Sequence, residues 1–145
     1  MQGKYKVGYT TGVFDLFHIG HLNILQRAKE QCQYLIVGVS TDELTAEYKH
    51  RPPVIPYSER KRIVEAIRYV DKVVAQTTLD KLAAWKQLQF DALFHGSDWQ
   101  NTHLYNRYEE QFSSFGVDIV YLPYTKGTSS TMLNSFLTGS IHCNV

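Results

Sequence analysis

A chain of 145 residues, 43% hydrophobic and 20% charged, can bury a sizeable core and is too apolar for a disordered polyelectrolyte. Its formal net charge of +1 offers no overall field to nucleic acid or an anionic membrane, so any anion site must be local. No apolar run approaches the ~20 residues that cross a bilayer, and Cys32 and Cys143 lack the CxxC spacing of a redox or metal pair; one domain over residues 1–145, in a cytoplasmic setting without membrane insertion, is the expectation.

Along the chain, Tyr5–Thr11 reads as a strand, and Leu22, Leu25 and Ala28 mark a helix over Leu22–Cys32. Tyr34–Ser40 is an almost unbroken apolar run, the pattern of a parallel strand buried on both faces. A polar loop with Pro52 and Pro53 follows, and Ser58 is a suitable N-cap for a helix over Glu59–Tyr69. Strands over Val70–Ala75, Ala92–His95 and Val117–Leu122 alternate with helices over Leu79–Leu88 and Tyr105–Phe115, the latter stopped by Gly116. A short helix over Ser130–Leu137 precedes a tail from Thr138 without a clear pattern, read as mobile. This alternation predicts one doubly wound α/β, Rossmann-like fold: a parallel five-stranded sheet with helices on both faces and ligands above its carboxyl edge.

The segment Gly12-Val13-Phe14-Asp15-Leu16-Phe17-His18-Ile19-Gly20-His21 joins the first strand to the first helix. Residues three apart lie nearly one turn from each other, so His18 and His21 can face the same side at a helix start, where free N–H groups and the dipole favour anions. No serine or cysteine accompanies them as a nucleophile, and the arrangement suits a polyphosphate. The plainer alternatives are a pair that fills the helix end or holds a metal with a third ligand elsewhere.

GVFDLFHIGH resembles the HxGH motif of the nucleotidyltransferase superfamily, and more narrowly its cytidylyltransferase branch. The likeness runs from Tyr5 to Leu137: Ser40-Thr41-Asp42-Glu43-Leu44, the lysine loop Lys49-His50-Arg51-Pro52-Pro53-Val54, the Glu59-Arg60 pair, Ile67-Arg68-Tyr69-Val70-Asp71, Gly96-Ser97-Asp98-Trp99 and Tyr124–Thr131 follow in the family's order. Chain length and the Trp99 context resemble the glycerol-phosphate enzymes of that branch, and the Lys49–Val54 loop also resembles its phosphoethanolamine and phosphocholine enzymes. Four positions depart from the pattern: Tyr124 stands for an arginine, Lys126 for a glutamate, Ser97 for the first aspartate of GDDW, and Leu79 for a tryptophan.

The resemblance implies in-line attack of a phosphate monoester on the α-phosphorus of CTP. His18 and His21 would bind the triphosphate, Lys49 would bridge the two reacting phosphates from a mobile loop, and Arg51 and Arg60 would add charge. Lys49 could equally be a solvated lysine, and Arg60 a surface ion pair. Gly12, Val13 and Phe14 would border the nucleotide, although Phe14 could be plain core. Asp15 would orient the acceptor or a hydrated Mg²⁺, and Asp98 would accept from the cytosine amino group. Tyr124, Thr125, Lys126, Gly127, Thr128, Ser129, Ser130 and Thr131 would cradle the β- and γ-phosphates, though such residues also cap helices. Trp99 would shape the base pocket or cover the sheet edge. Arg68 and Asp71 would serve a homodimer contact or pair with each other. His50, His95, His103 and His142 make no metal set, so Mg²⁺ is expected to arrive with CTP.

Overall fold

The computed structural model describes residues 3–125, 127 and 129–143. Five parallel strands, β1 (Tyr5–Gly12), β2 (Cys32–Ser40), β3 (Lys72–Gln76), β4 (Ala92–Gly96) and β5 (Asp118–Leu122), form one sheet in the order β3-β2-β1-β4-β5. This is the doubly wound α/β architecture read from the sequence. Leu35–Ser40 of β2 are all buried, because a parallel strand flanked by crossovers is covered on both faces.

Alternating side chains divide the interior in two. On one face α1 (Ile19–Glu30) and α3 (Tyr57–Glu65) pack Leu25, Ala28 and Val64 against Leu35, Val37, Val39 and Phe94. On the other, α4 (Lys81–Leu88) and α5 (His103–Ser113) pack Leu82, Trp85, Tyr105 and Phe112 against Tyr9, Ile36, Val74 and Leu93. The strand order reverses direction between β1 and β4, and this is the switch point at which open α/β sheets bind ligands.

Several boundaries differ from the sequence reading, each for a local reason. The polar stretch after β2 is not all loop: α2 spans Asp42–Lys49, with Thr41 Oγ1 accepting from Leu44 N and acidic residues in the first turn. Lys49 is therefore the last residue of a helix, and His50 turns out of it at φ 61°. α3 starts at Tyr57 without Ser58 as its cap, because the Asp42 carboxylate accepts from Tyr57 N at 3.0 Å. It also ends four residues early, at Glu65, where Ala66 N bonds back to Arg62 and Ile63. Asp80 caps α4 through Leu82 N and Ala83 N, and a 3₁₀ turn covers Ser97–Trp99. Gly116 lies at φ 75°, the left-handed geometry that glycine adopts freely after a helix. The last helix, α6, runs over Ser130–Cys143, past the expected end at Leu137.

Asp71 does not pair with Arg68. Its carboxylate accepts from Leu35 N at 2.7 Å and Lys29 Nζ at 2.5 Å, and the Arg68 guanidinium lies 5.6 Å from the Tyr69 ring.

Candidate active site

A cavity of about 550 Å³ opens above the carboxyl edge of β1 and β4, a size suited to a small-molecule ligand. Gly12 and Val13 form its floor, and the next turn is tight: Phe14 at φ 55° and Leu16 at φ 51° are left-handed without being glycine. Such backbone is held by its surroundings. Here the Phe14 ring is 5% exposed within the first core, and a Cβ on Gly12 would come within 3.0 Å of it. Phe14 is thus principally core, with one edge on the cavity.

At the start of α1 the two histidines close a reciprocal cap. His18 Nδ1 accepts from Gly20 N at 3.0 Å, and His21 Nδ1 accepts from His18 N at 3.3 Å. The rings stack with centroids 3.9 Å apart. With each Nδ1 used as an acceptor, a neutral ring carries its proton on Nε2. Burial holds His21 far down, to about 3, helped by the neighbouring charges of His18 and Lys49, and burial also lowers His18. The pair therefore presents neutral N–H donors near pH 7. His21 Nε2 lies 3.4 Å from Ser130 Oγ, and that hydroxyl donates to the Asp15 carbonyl. Asn23 Nδ2 donates to Thr125 Oγ1 at 2.9 Å and Arg27 to Pro123 O at 3.3 Å, so α1 holds the segment that leaves β5.

Lys49 and Arg51 are exposed cations on the cavity rim. Asp98, Trp99, Tyr124 and Thr125 line the side toward β5, and Ser129, Ser130 and Thr131 the side toward α6. Gly127 turns at φ 99°; Lys126 and Thr128 lie outside the described residues. Ser129 Oγ accepts from Met132 N at 3.0 Å, so it caps α6 as well as facing the cavity.

Three expectations change. Arg60 does not line the cavity: only 1% exposed, it donates to Ile55 O, Val13 O, Ser40 O and the Asp42 carboxylate at 2.7–2.8 Å. It fastens three loops together, and its cation is neutralised by Asp42. Asp15 is also committed, its two oxygens accepting from Val54 N at 2.7 Å and Ile55 N at 2.9 Å. It clips the proline loop to the β1–α1 turn, so each oxygen already serves a backbone amide and its first role is structural. Asp98 accepts from the Tyr124 hydroxyl at 2.8 Å, which partly occupies the carboxylate expected to read cytosine.

The sequence reading missed the far wall, made by Thr11, Gln76, Lys81, His95, Tyr105 and Tyr108. Their signal was weak; only Lys81, a cation in the first turn of a helix, is out of place there. Among the described residues no group of three or more His, Cys, Asp and Glu could hold a metal ion, and no helix is long and apolar enough to cross a membrane.

Neutral buried histidines make stability depend on acid. His21 and His95 are both held at about 3 by burial, with nearby positive charge as a lesser cause, whereas the unfolded chain protonates them near 6.5. Below that pH the unfolded state binds more protons, so stability is full above about 6.5 and falls on acidification. At pH 5.5 the loss should be on the order of 1 kcal/mol for each of these histidines. Denaturant titrations at pH 7.5 and 5.5 check this, and His95→Gln should remove about half of the difference. Equal stability at both pH values would contradict the neutral assignment.

The sequence model of the cytidylyltransferase-like family matches residues 9–136. The chain is 35% identical over 137 residues to the glycerol-3-phosphate cytidylyltransferase of Bacillus subtilis (strain 168), covering 90% of this chain and 95% of that protein. It is 38% identical over 128 residues to the FAD synthase of Pyrococcus abyssi (strain GE5 / Orsay), covering 86% and 85%. The crystal structure of the lipopolysaccharide core biosynthesis protein from Thermoplasma volcanium GSS1 superposes with a TM-score of 0.70 at 21% identity, over 86% of this chain and 99% of that one, and shares the fold. With the HxGH loop, the sheet order and a family match over most of its length in agreement, this chain belongs to the cytidylyltransferase-like family.

Proposed function

We propose that the protein transfers CMP from CTP to a small alcohol phosphate, glycerol 3-phosphate being the first acceptor to try, and releases pyrophosphate. The observation that carries this reading is the stacked His18–His21 pair, two neutral imidazoles with Nε2–H donors at one helix start, facing the hydroxyl-rich start of another. Such donors fit a triphosphate whose charge grows on the leaving pyrophosphate, and the backbone holds them in place before the reaction. An acceptor phosphate oxygen forms the new bond to the α-phosphorus as the bond to the β-phosphate oxygen breaks. The acceptor is already an anion, so no base is required, and the neutral rings move no proton. Lys49 and Arg51 on the rim would offset the repulsion between the two phosphates. Mg²⁺ would enter as part of the nucleotide, held by its phosphates and water. A homodimer belongs to the same proposal.

A second reading, adenylyl transfer, draws on the Tyr124–Asp98 hydrogen bond and on the likeness to a protein named FAD synthase. Pyrophosphate release measured with CTP, ATP, GTP and UTP over a panel of phosphate monoesters separates the two. A preference for CTP with glycerol 3-phosphate supports the proposal. Faster release from ATP selects adenylyl transfer, and silence with every pair, while CTP still binds, identifies a nucleotide-binding regulator.

A further inference from the structure

Between β5 and α6 stands a large aromatic side chain that enters neither core. Tyr124 is 63% exposed and lines the cavity. An exposed tyrosine ordinarily samples several rotamers, yet this one is held at both ends. Pro123 fixes φ just ahead of it, and α1 grips the chain on either side: Arg27 donates to Pro123 O at 3.3 Å and Asn23 to Thr125 Oγ1 at 2.9 Å. At the far end of the ring the phenol donates to Asp98 Oδ2 at 2.8 Å. Asp98 is itself folded back over the end of β4, where a Cβ on Gly96 would come within 2.8 Å of its Oδ1. The ring is therefore set in place before any ligand arrives, and a group fixed in advance binds without a further ordering cost.

The chemistry of the corner decides what such a ring can receive. A phenol has a single O–H, and Asp98 takes it. The same bond, followed by burial, raises the phenol pKa and keeps the proton in place. No donor is left for a phosphate oxygen, and the neighbouring carboxylate disfavours a second anion. What Tyr124 still offers is the face of its ring. Trp99, next in the chain to Asp98, is 41% exposed and also lines the cavity. Its ring rests against His95 and Tyr105, with centroids 5.6 and 5.4 Å away. The Tyr124–Asp98 bond thus ties together two aromatic walls, one following β4 and one following β5. A small alcohol phosphate has no flat group to lay there. A nucleotide has one.

We infer that the Tyr124 ring is a stacking platform for the nucleobase, so that at this position the protein grips the face of the base and makes no contact with the triphosphate. The inference rests on the proposed function for the nucleotide itself, and it holds for either base, since every base has a face. It is tested by calorimetric titration of the full chain, comparing wild type with Tyr124→Leu and Tyr124→Phe. The probes are CTP with CMP, ATP with AMP, and tripolyphosphate, which has no base. For the pair that wild type binds, Tyr124→Leu should weaken the triphosphate and the monophosphate by the same factor, about tenfold, within the range of base–aromatic stacking. Tripolyphosphate should bind as before, and an exposed position should leave the melting temperature nearly unchanged. Tyr124→Phe keeps the ring and should recover most of the affinity.

Four results would overturn the inference. One is equal monophosphate affinity in wild type and Tyr124→Leu. Another is a phenylalanine variant as weak as the leucine one, which would mean that the hydroxyl acts only through Asp98. The third is an equal loss for tripolyphosphate, the mark of a phosphate contact or of a structural role, and the last is no binding of either pair by wild type. Pyrophosphate release from CTP with a nucleotide affinity indifferent to the ring leaves the proposed function standing while the inference falls. Ring-dependent binding of a monophosphate without pyrophosphate release does the reverse.

Discussion

His18→Ala and His21→Ala are each expected to lower turnover by about two to three orders of magnitude, the cost of removing one preorganised donor from a developing charge. The rings stack at 3.9 Å, with Gly20 N donating to His18 Nδ1 and His18 N to His21 Nδ1, so removing either also disturbs the cap. The loss of stability should still be only about 1 kcal/mol. His18→Asn separates the two effects, because asparagine can accept from the helix start without offering an N–H at the Nε2 position. It should recover the melting temperature and not the rate. Pyrophosphate release and thermal unfolding by circular dichroism are the paired measurements. Near-normal turnover in either alanine variant would remove the phosphate site from α1.

Arg60→Met should be the most destabilising single change at the site. The guanidinium satisfies the carbonyls of Val13, Ser40 and Ile55 and pairs with Asp42, all within 2.8 Å. Methionine would fill much of the volume but leave those acceptors without donors. Leaving three carbonyls without their donor costs about 3 kcal/mol or more in all, while Asp42, its side chain 41% exposed, can turn to water. Asp42→Asn combined with Arg60→Met should lose less than the sum of the two, since a neutral amide no longer needs the cation. Denaturant unfolding of the two single variants and the double variant gives the coupling directly. A loss below about 1 kcal/mol for Arg60→Met would show that the loops hold without the guanidinium. Asp15, by clipping Val54 and Ile55 to the same turn, belongs to this scaffold too.

The sequence by itself determined the sheet and the placement of the histidine pair at the start of α1. Periodicity reports burial on one or both faces, so the run from Tyr34 to Ser40 identified a central strand before any pairing was known. The HxGH spacing placed both histidines at a helix start because that geometry is local, fixed by one turn of backbone. Helix boundaries were less legible where the cap came from afar: α3 begins at Tyr57 because Asp42 reaches it across fifteen residues. Arg60 and Asp15 looked like site residues by position. Only the tertiary structure showed their hydrogen bonds spent on carbonyls and amides of other loops. Lys81 is the reverse case: its one mark in the sequence is a first-turn position, and the crossover from β3 to β4 buries it beside Thr11 and Gln76. Whether a charge is solvated, paired or buried on neutral partners depends on which strands meet beneath it, and only the assembled sheet decides that.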